Sequence, residues 1–188
     1  MTPPSDFTPA LAFGPDLLAR AAAVRVLLLD VDGVLTDGGL WWGEHGEAIK
    51  RFHTLDGHGL RLLSAAGVRP VVVSGRDSAA LRHRLQTLNM LAHARLGDAN
   101  KLPLAQQVLD ELGVSWAQVA AVGDDWPDAP LLRRAALACA PPQAHAEVQR
   151  LAHHVTRAGA GQGAVREVCD LLLQARGHYA AFWREASA

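Results

Sequence analysis

Acidic, hydroxyl and lysine residues follow short apolar runs in this chain, and their spacing suits phosphoryl chemistry. The apolar residues Val24, Val26, Leu27, Leu28 and Leu29 read as a strand buried on both faces of a parallel sheet. Asp30 and Asp32 come where that strand ends, and Gly33 permits a tight turn that brings both carboxylates to one site. One aspartate can attack a phosphoryl group and form an aspartyl-phosphate. A second nearby can protonate the leaving alkoxide and later deprotonate water. In this pattern Asp30 is the candidate nucleophile and Asp32 the candidate acid/base; the pair could also simply cap the next segment.

Other groups recur at the ends of later apolar runs. Ser74 and Gly75 close the run Val68 to Val73, where a hydroxyl and an unobstructed amide can meet phosphate oxygens. Lys101, at an expected helix start, can neutralise a nucleophile and a transferring phosphoryl. Asp124, Asp125 and Asp128 follow Val119 to Val122 and offer oxygen ligands to a hard cation such as Mg²⁺. Helix capping is the alternative use for Asp128.

These groups need a scaffold that brings strand ends together. Strands are expected at Val24–Leu29, Val68–Val73, Ala92–Leu96, Val119–Val122, Ala135–Ala140 and Ala152–Val155. The segments between them carry helical apolar spacing, as at Leu81, Leu85 and Leu88. The alternation predicts an α/β fold, a doubly wound and mostly parallel sheet with helices on both faces. Residues 38–53 read as a β-hairpin insertion around the turn GEHGE, with Trp41 and Trp42 on opposite sides and one of them packed on the domain. Residues 1–13 read as a loose arm. The glycine-rich run from Arg157 to Glu167 reads as a flexible part of the C-terminal segment 157–188, before a final helix Ala164–Arg176.

At 188 residues the chain suits one domain. Its net charge of -1, without like-charge blocks, argues against a nucleic-acid or anionic-membrane surface. No apolar run is long enough to span a membrane, and no signal-like start is present. Cys139 and Cys169 lie in apolar surroundings and read as buried free thiols in a reducing, cytoplasmic setting.

In the order DxDG, SG, K and GDDxxD, these residues resemble the four motifs of the haloacid dehalogenase superfamily. The resemblance implies that superfamily's Rossmann-like fold, Mg²⁺ held by Asp30, Asp32 (through its carbonyl) and Asp124, phosphate bound by Ser74, Gly75 and Lys101, and supporting roles for Asp125 and Asp128. The second aspartate speaks for a phosphotransferase and against a dehalogenase. DVDGVLTDG with its hairpin, the helix DGHGLRLL, SGR and the C-terminal GAVREVCDLLL resemble, more closely, the 3-deoxy-D-manno-octulosonate 8-phosphate phosphatase family. That resemblance implies hydrolysis of a sugar acid phosphate for lipopolysaccharide biosynthesis. It also implies sugar contacts from His53, Thr54, Leu55, Asp56 and Gly57 and from Arg61, Arg76 and Arg84, and a homotetramer whose C-terminal segments cover neighbouring sites. Members of the superfamily usually carry a separate cap domain, but the only insertion in this sequence is the hairpin, too small to serve as one.

Two stretches depart from the family pattern: HTLDG stands where NVRDG is common, and AGQG where GGRG is usual. They leave a nine-carbon sugar acid phosphate as an alternative substrate. A receiver-like signalling domain also uses an acidic cluster, a hydroxyl residue and a lysine. There, however, the acidic pair is adjacent and the phosphorylated aspartate lies on a later strand.

Overall fold

A computed structural model describes residues 7–188. Six parallel strands form the main sheet: β1 (Val26–Leu29), β4 (Arg69–Ser74), β5 (Arg95–Leu96), β6 (Val119–Val122), β7 (Leu137–Ala140) and β8 (His154–Val155), in the spatial order β5-β4-β1-β6-β7-β8. Strands β2 (Trp41–Gly43) and β3 (Gly46–Ile49) form a separate antiparallel hairpin. The chain builds outward from β1 to one edge, then returns to the other side of β1. Strand order therefore reverses beside β1, and in such sheets ligands bind at the carboxyl ends there.

Strand β1 shows how the sequence builds two layers. Successive side chains on a strand point to opposite faces, so Leu27 and Leu29 join one core cluster with Val72, Leu60, Leu63, Val168 and Leu172. Val26 and Leu28 join the other, with Val71, Val73, Val108, Leu109 and Leu132. The first layer contains α1 (Pro15–Ala22), α2 (Thr54–Ala65), α3 (Ala79–Thr87) and α7 (Ala164–Ala175); the second contains α4 (Lys101–Leu112), α5 (Ala129–Leu132) and α6 (Ala146–Leu151). Each fully buried leucine of β1 contributes roughly 1.5–3 kcal/mol. A final helix, α8 (Tyr179–Ala186), follows the αL turn at Gly177 and was not expected from the sequence.

Three expectations are corrected. The run from Arg157 to Gly163 is held in place by its own chain. The amides of Arg157 and Ala158 donate to the buried Glu167 carboxylate at 3.0–3.1 Å, that of Ala160 to Gln143 at 3.2 Å, and that of Gly161 to the Val34 carbonyl at 3.1 Å. Gly161 adopts φ +61°, and a Cβ there would lie 2.6 Å from the Asp37 nitrogen. Glycine is thus used here for close approach, where flexibility was expected.

The expected loose arm is also wrong over residues 7–13: Phe7 stacks near Tyr179 and Trp183, and the Leu11 carbonyl accepts from Gln174 at 2.8 Å. The rest of that arm, residues 1–6, lies outside the described residues. Finally, neither hairpin tryptophan packs on the domain. Trp41 and Trp42 are 61% and 66% exposed, and the hairpin is a sheet of its own that does not pair with the main one.

Candidate active site

The parallel register brings the predicted motifs to one edge of the sheet. Leu29 pairs with Val72 and Val122, so Asp30 emerges between the ends of β4 and β6, with its amide donating to the Val122 carbonyl at 3.1 Å. β4 ends in Ser74, and β6 leads through Gly123 into Asp124. Lys101 arrives from the first turn of α4, beyond β5. An open cleft of about 570 Å³ results. Asp30, Asp32, Ser74, Gly75, Arg76, Lys101, Asp124, Asp125 and Asp128 all line it.

Two glycines make the crowding possible. At Gly33, with φ +87°, a Cβ would sit 2.0 Å from Asp124 Oδ2; at Gly123 it would sit 2.3 Å from the Asp128 Cβ. Neither position tolerates a side chain without displacing a carboxylate.

The ammonium of Lys101 is buried and donates to Asp128 Oδ1 at 2.6 Å, and it pairs with Asp30 Oδ1 at 2.7 Å. Burial disfavours its charge, but the carboxylates of Asp128 and Asp30 outweigh that cost and raise its pKa. Asp128 Oδ2 accepts the amides of Asp124 at 3.0 Å and Asp125 at 3.4 Å, which fixes the loop after β6. Asp125 accepts the Trp126 amide at 2.8 Å and completes a capping box with Asp128. Ser74 Oγ accepts the Arg76 amide at 3.2 Å, leaving the Ser74 hydroxyl proton for another acceptor.

Negative charge exceeds what one lysine can balance. Burial, then the charge of Asp128, pushes Asp30 up to about 6 despite Lys101. Burial, then Asp30 and Asp128, pushes Asp124 up to about 8. Asp30, Asp124 and Asp128 offer oxygens within 4.8 Å of one another, and Asp124 Oδ1 is buried without a hydrogen-bond partner. Excess carboxylate charge and an orphaned buried oxygen are what a divalent, oxygen-ligated cation would relieve. Because Lys101 and main-chain amides occupy Asp128, the oxygens left for such an ion belong to Asp30 and Asp124.

The expected sugar-contact residues are less united. Arg76 lies on the cleft rim, its Nε 3.8 Å from Asp32 Oδ2. Arg84 instead packs over the Phe52 ring at 5.7 Å and against Gly57, in a small apolar recess with His53 and Asp56. His53 caps α2 by accepting the Leu55 amide at 3.3 Å, while Thr54 and Leu55 are exposed.

Asp56 and Arg61 do not reach the cleft in this chain. Asp56 is buried and accepts the Arg166 amide at 2.8 Å, capping α7 from a distant part of the sequence. Arg61 sits two turns along α2, which runs away from the strands' carboxyl ends; it lines a different cavity with Arg69 and His93. Lys50 was missed altogether. It follows β3 and pairs with Asp32, a relation that nothing in the local pattern of a hairpin signals.

Comparison with known proteins agrees with this geometry. Residues 97–168 match the haloacid dehalogenase-like hydrolase family. The 3-deoxy-D-manno-octulosonate 8-phosphate phosphatase KdsC of Escherichia coli (strain K12) is 40% identical over 171 residues, covering 89% of this chain and 90% of that protein. The crystal structure of the Yersinia pestis 3-deoxy-D-manno-octulosonate 8-phosphate phosphatase is 38% identical, with a TM-score of 0.85, covering 88% of this chain and 89% of that one. That of the Moraxella catarrhalis enzyme, in complex with magnesium ion, phosphate ion and KDO, is 30% identical, with a TM-score of 0.87, covering 90% and 97%. With that identity sustained over almost the whole length of both proteins, the chain belongs to the 3-deoxy-D-manno-octulosonate 8-phosphate phosphatase family of haloacid dehalogenase-like hydrolases.

Proposed function

We propose that this chain is a magnesium-dependent phosphatase that hydrolyses 3-deoxy-D-manno-octulosonate 8-phosphate through an aspartyl-phosphate on Asp30, supplying the free sugar acid for lipopolysaccharide biosynthesis. The observation that carries the reading is the cluster of Asp30, Lys101, Asp124 and Asp128 at neighbouring strand ends, in a chain of this family.

In the first half-reaction an Asp30 carboxylate oxygen attacks phosphorus, the bond from phosphorus to the sugar oxygen breaks, and Asp32 gives its proton to that oxygen. In the second, ionised Asp32 takes a proton from water as the water oxygen attacks phosphorus. The Asp30–phosphorus bond breaks, inorganic phosphate leaves, and Asp32 is protonated again. The Ser74 hydroxyl and the Gly75 amide hold phosphoryl oxygens. Lys101 orients Asp30 and offsets charge on the transferring group. Magnesium held by the carboxylates of Asp30 and Asp124 and the carbonyl of Asp32, when bound, neutralises the phosphoryl oxygens. Asp125 and Asp128 shape the loop that presents Asp124.

Arg76, at the rim, suits the substrate's carboxylate because a guanidinium binds such a group with two parallel hydrogen bonds. The nine-carbon sugar acid phosphates remain the second reading, favoured by the exposed, uncharged Leu55. The test is phosphate release, with Mg²⁺ present, across eight- and nine-carbon sugar acid phosphates. Clear preference for the eight-carbon compound is expected, and equal rates on all would reduce the enzyme to a generic phosphatase.

A homotetramer is part of the same reading. Leu40, Trp41, Trp42 and Ile49 form an exposed apolar surface on the hairpin, of a kind that marks association sites. With residues 157–163 tied down, the part of the C-terminal segment available to cover a neighbour's open cleft is α8, which carries the exposed Trp183. A cytoplasmic setting is supported by Cys139 and Cys169, both buried free thiols, and by the lack, among the described residues, of a helix long and apolar enough to cross a membrane.

A further inference from the structure

Lys50 is the least explained charge in the molecule. It leaves the hairpin just after β3, yet its side chain is only 2% exposed. A buried ammonium is costly unless carboxylates surround it. Lys50 has two: it pairs closely with Asp32 Oδ1, and Glu47 Oε1 lies 2.9 Å away. Glu47 Oε1 is itself buried and has no other polar partner, so Glu47 serves mainly to hold Lys50. On the other oxygen of Asp32 stands Arg76, at 3.8 Å and largely exposed, free to turn toward a ligand in the cleft. Lys50 has no such freedom.

The hairpin's large apolar residues, Trp41, Trp42 and Ile49, are exposed and bury no apolar face on the domain. Among the described residues, its ion pairs to the domain are the buried Lys50–Asp32 pair and an exposed contact of Arg51 with Asp37 at 3.5 Å. The hairpin and the Asp32 carboxylate therefore fix each other. We propose that Lys50 is a positioning residue for catalysis: from the hairpin it holds the Asp32 carboxyl in the rotamer that meets the leaving oxygen of a substrate bound at Asp30. This rests on the reading of Asp32 as the acid/base, and Lys50 acts only through it. Misplacing a reacting group by about 1 Å can cost about 100-fold in rate. A hairpin drawn aside by a neighbouring molecule would withdraw Lys50 and loosen Asp32 with it.

Leaving-group chemistry separates this role from mere anchoring of the hairpin. p-Nitrophenolate departs without a proton, whereas a sugar alkoxide needs one. Steady-state kcat and KM are measured on the eight-carbon sugar acid phosphate and on p-nitrophenyl phosphate for wild type, Lys50→Met, Asp32→Asn and the double variant. Lys50→Met is expected to lower kcat/KM on the sugar phosphate by about 10- to 100-fold and to leave kcat/KM on p-nitrophenyl phosphate little affected, because kcat/KM reports only as far as departure of the leaving group, whereas kcat on either substrate also contains the water attack that Asp32 assists as a base. In the Asp32→Asn background, Lys50→Met should cost nothing further. Equal losses of kcat/KM on both substrates, or a loss that adds to that of Asp32→Asn, would overturn the proposal and leave Lys50 as an anchor. If Asp32→Asn lowers kcat/KM on both substrates alike, its assignment as the acid that protonates the leaving oxygen falls and this proposal with it. Should Lys50→Met fail to fold, the same cycle run with Lys50→Gln, which retains a hydrogen-bond donor, decides the matter.

Discussion

Replacing Lys101 by methionine isolates the electrostatic problem at the centre of the site. Methionine keeps most of the side-chain length, but the substitution removes the cation that, alone among the described residues, touches both Asp30 and Asp128, at 2.7 and 2.6 Å. Breaking a buried ion pair by deleting one partner typically costs about 3–5 kcal/mol. In a chain of this size each kcal/mol moves the melting temperature by about 2–4 °C, so a fall of about 6–20 °C is expected at neutral pH without metal.

The pH dependence tells charge from packing. In the wild type Asp30 and Asp124 are raised to about 6 and about 8, from 3.8. The folded state thus binds protons more tightly than the unfolded one, and stability contributed by the protonated carboxyls is lost as pH rises through those values. Lys101 lowers both values. Its removal raises them further, so the variant should be most destabilised near pH 8 and approach wild type toward about pH 4, where Asp30 and Asp124 are protonated in the folded state of both proteins. Added Mg²⁺ should recover part of the loss at pH 8. The assay is thermal unfolding with chelator and with Mg²⁺ across that range. A melting-temperature deficit that stays constant with pH and ignores Mg²⁺ would refute the charge argument and leave only a packing defect.

Asp30→Asn is expected to abolish phosphate release with the fold retained, checked by turnover beside circular dichroism; substantial residual turnover would remove the covalent route. Asp32→Asn should slow sugar phosphate hydrolysis by about 10²- to 10⁴-fold, read in the same phosphate-release assay. Asp56→Ala should cost about 1–2 kcal/mol in chemical denaturation by stripping the cap from α7; activity should fall only as far as folded protein is lost, whereas a selective rise in KM would restore Asp56 to the sugar site. Trp41→Ser with Trp42→Ser should shift the assembly to smaller species in sedimentation without lowering monomer stability, since both rings are exposed within the chain. An unchanged sedimentation coefficient would place the subunit contact elsewhere.

The motif residues were legible because local rules constrain them strongly. An apolar run of strand length followed by DxDG, SG or GDD states both the element and its polar end, so β1, β4 and β6 were predicted within a residue or two. Parallel pairing then brings their ends together whatever lies between. Glycine is ambiguous in the same alphabet. In RAGAGQG it looked like freedom, yet Gly161 is there because the Thr36–Asp37 backbone passes too close for a side chain. Acidic residues are equally ambiguous: Asp56 follows a hairpin as a ligand-contacting loop residue would, but its partner is a helix start 110 positions away.

The sequence by itself determined the order of the strands and of the helices other than α5 and α8, and it singled out the candidates for nucleophile, acid/base, lysine and metal-binding carboxylates, because each is written in a short stretch. Tertiary structure alone decided which charges meet. That Lys101 must serve Asp128 as well as Asp30, that Arg61 faces the far cavity while Arg76 faces the cleft, and that Lys50 reaches Asp32 from the hairpin all depend on distances between segments. Coulomb energies in a partly buried site vary with every ångström between such groups, and no local pattern of residue types encodes that spacing.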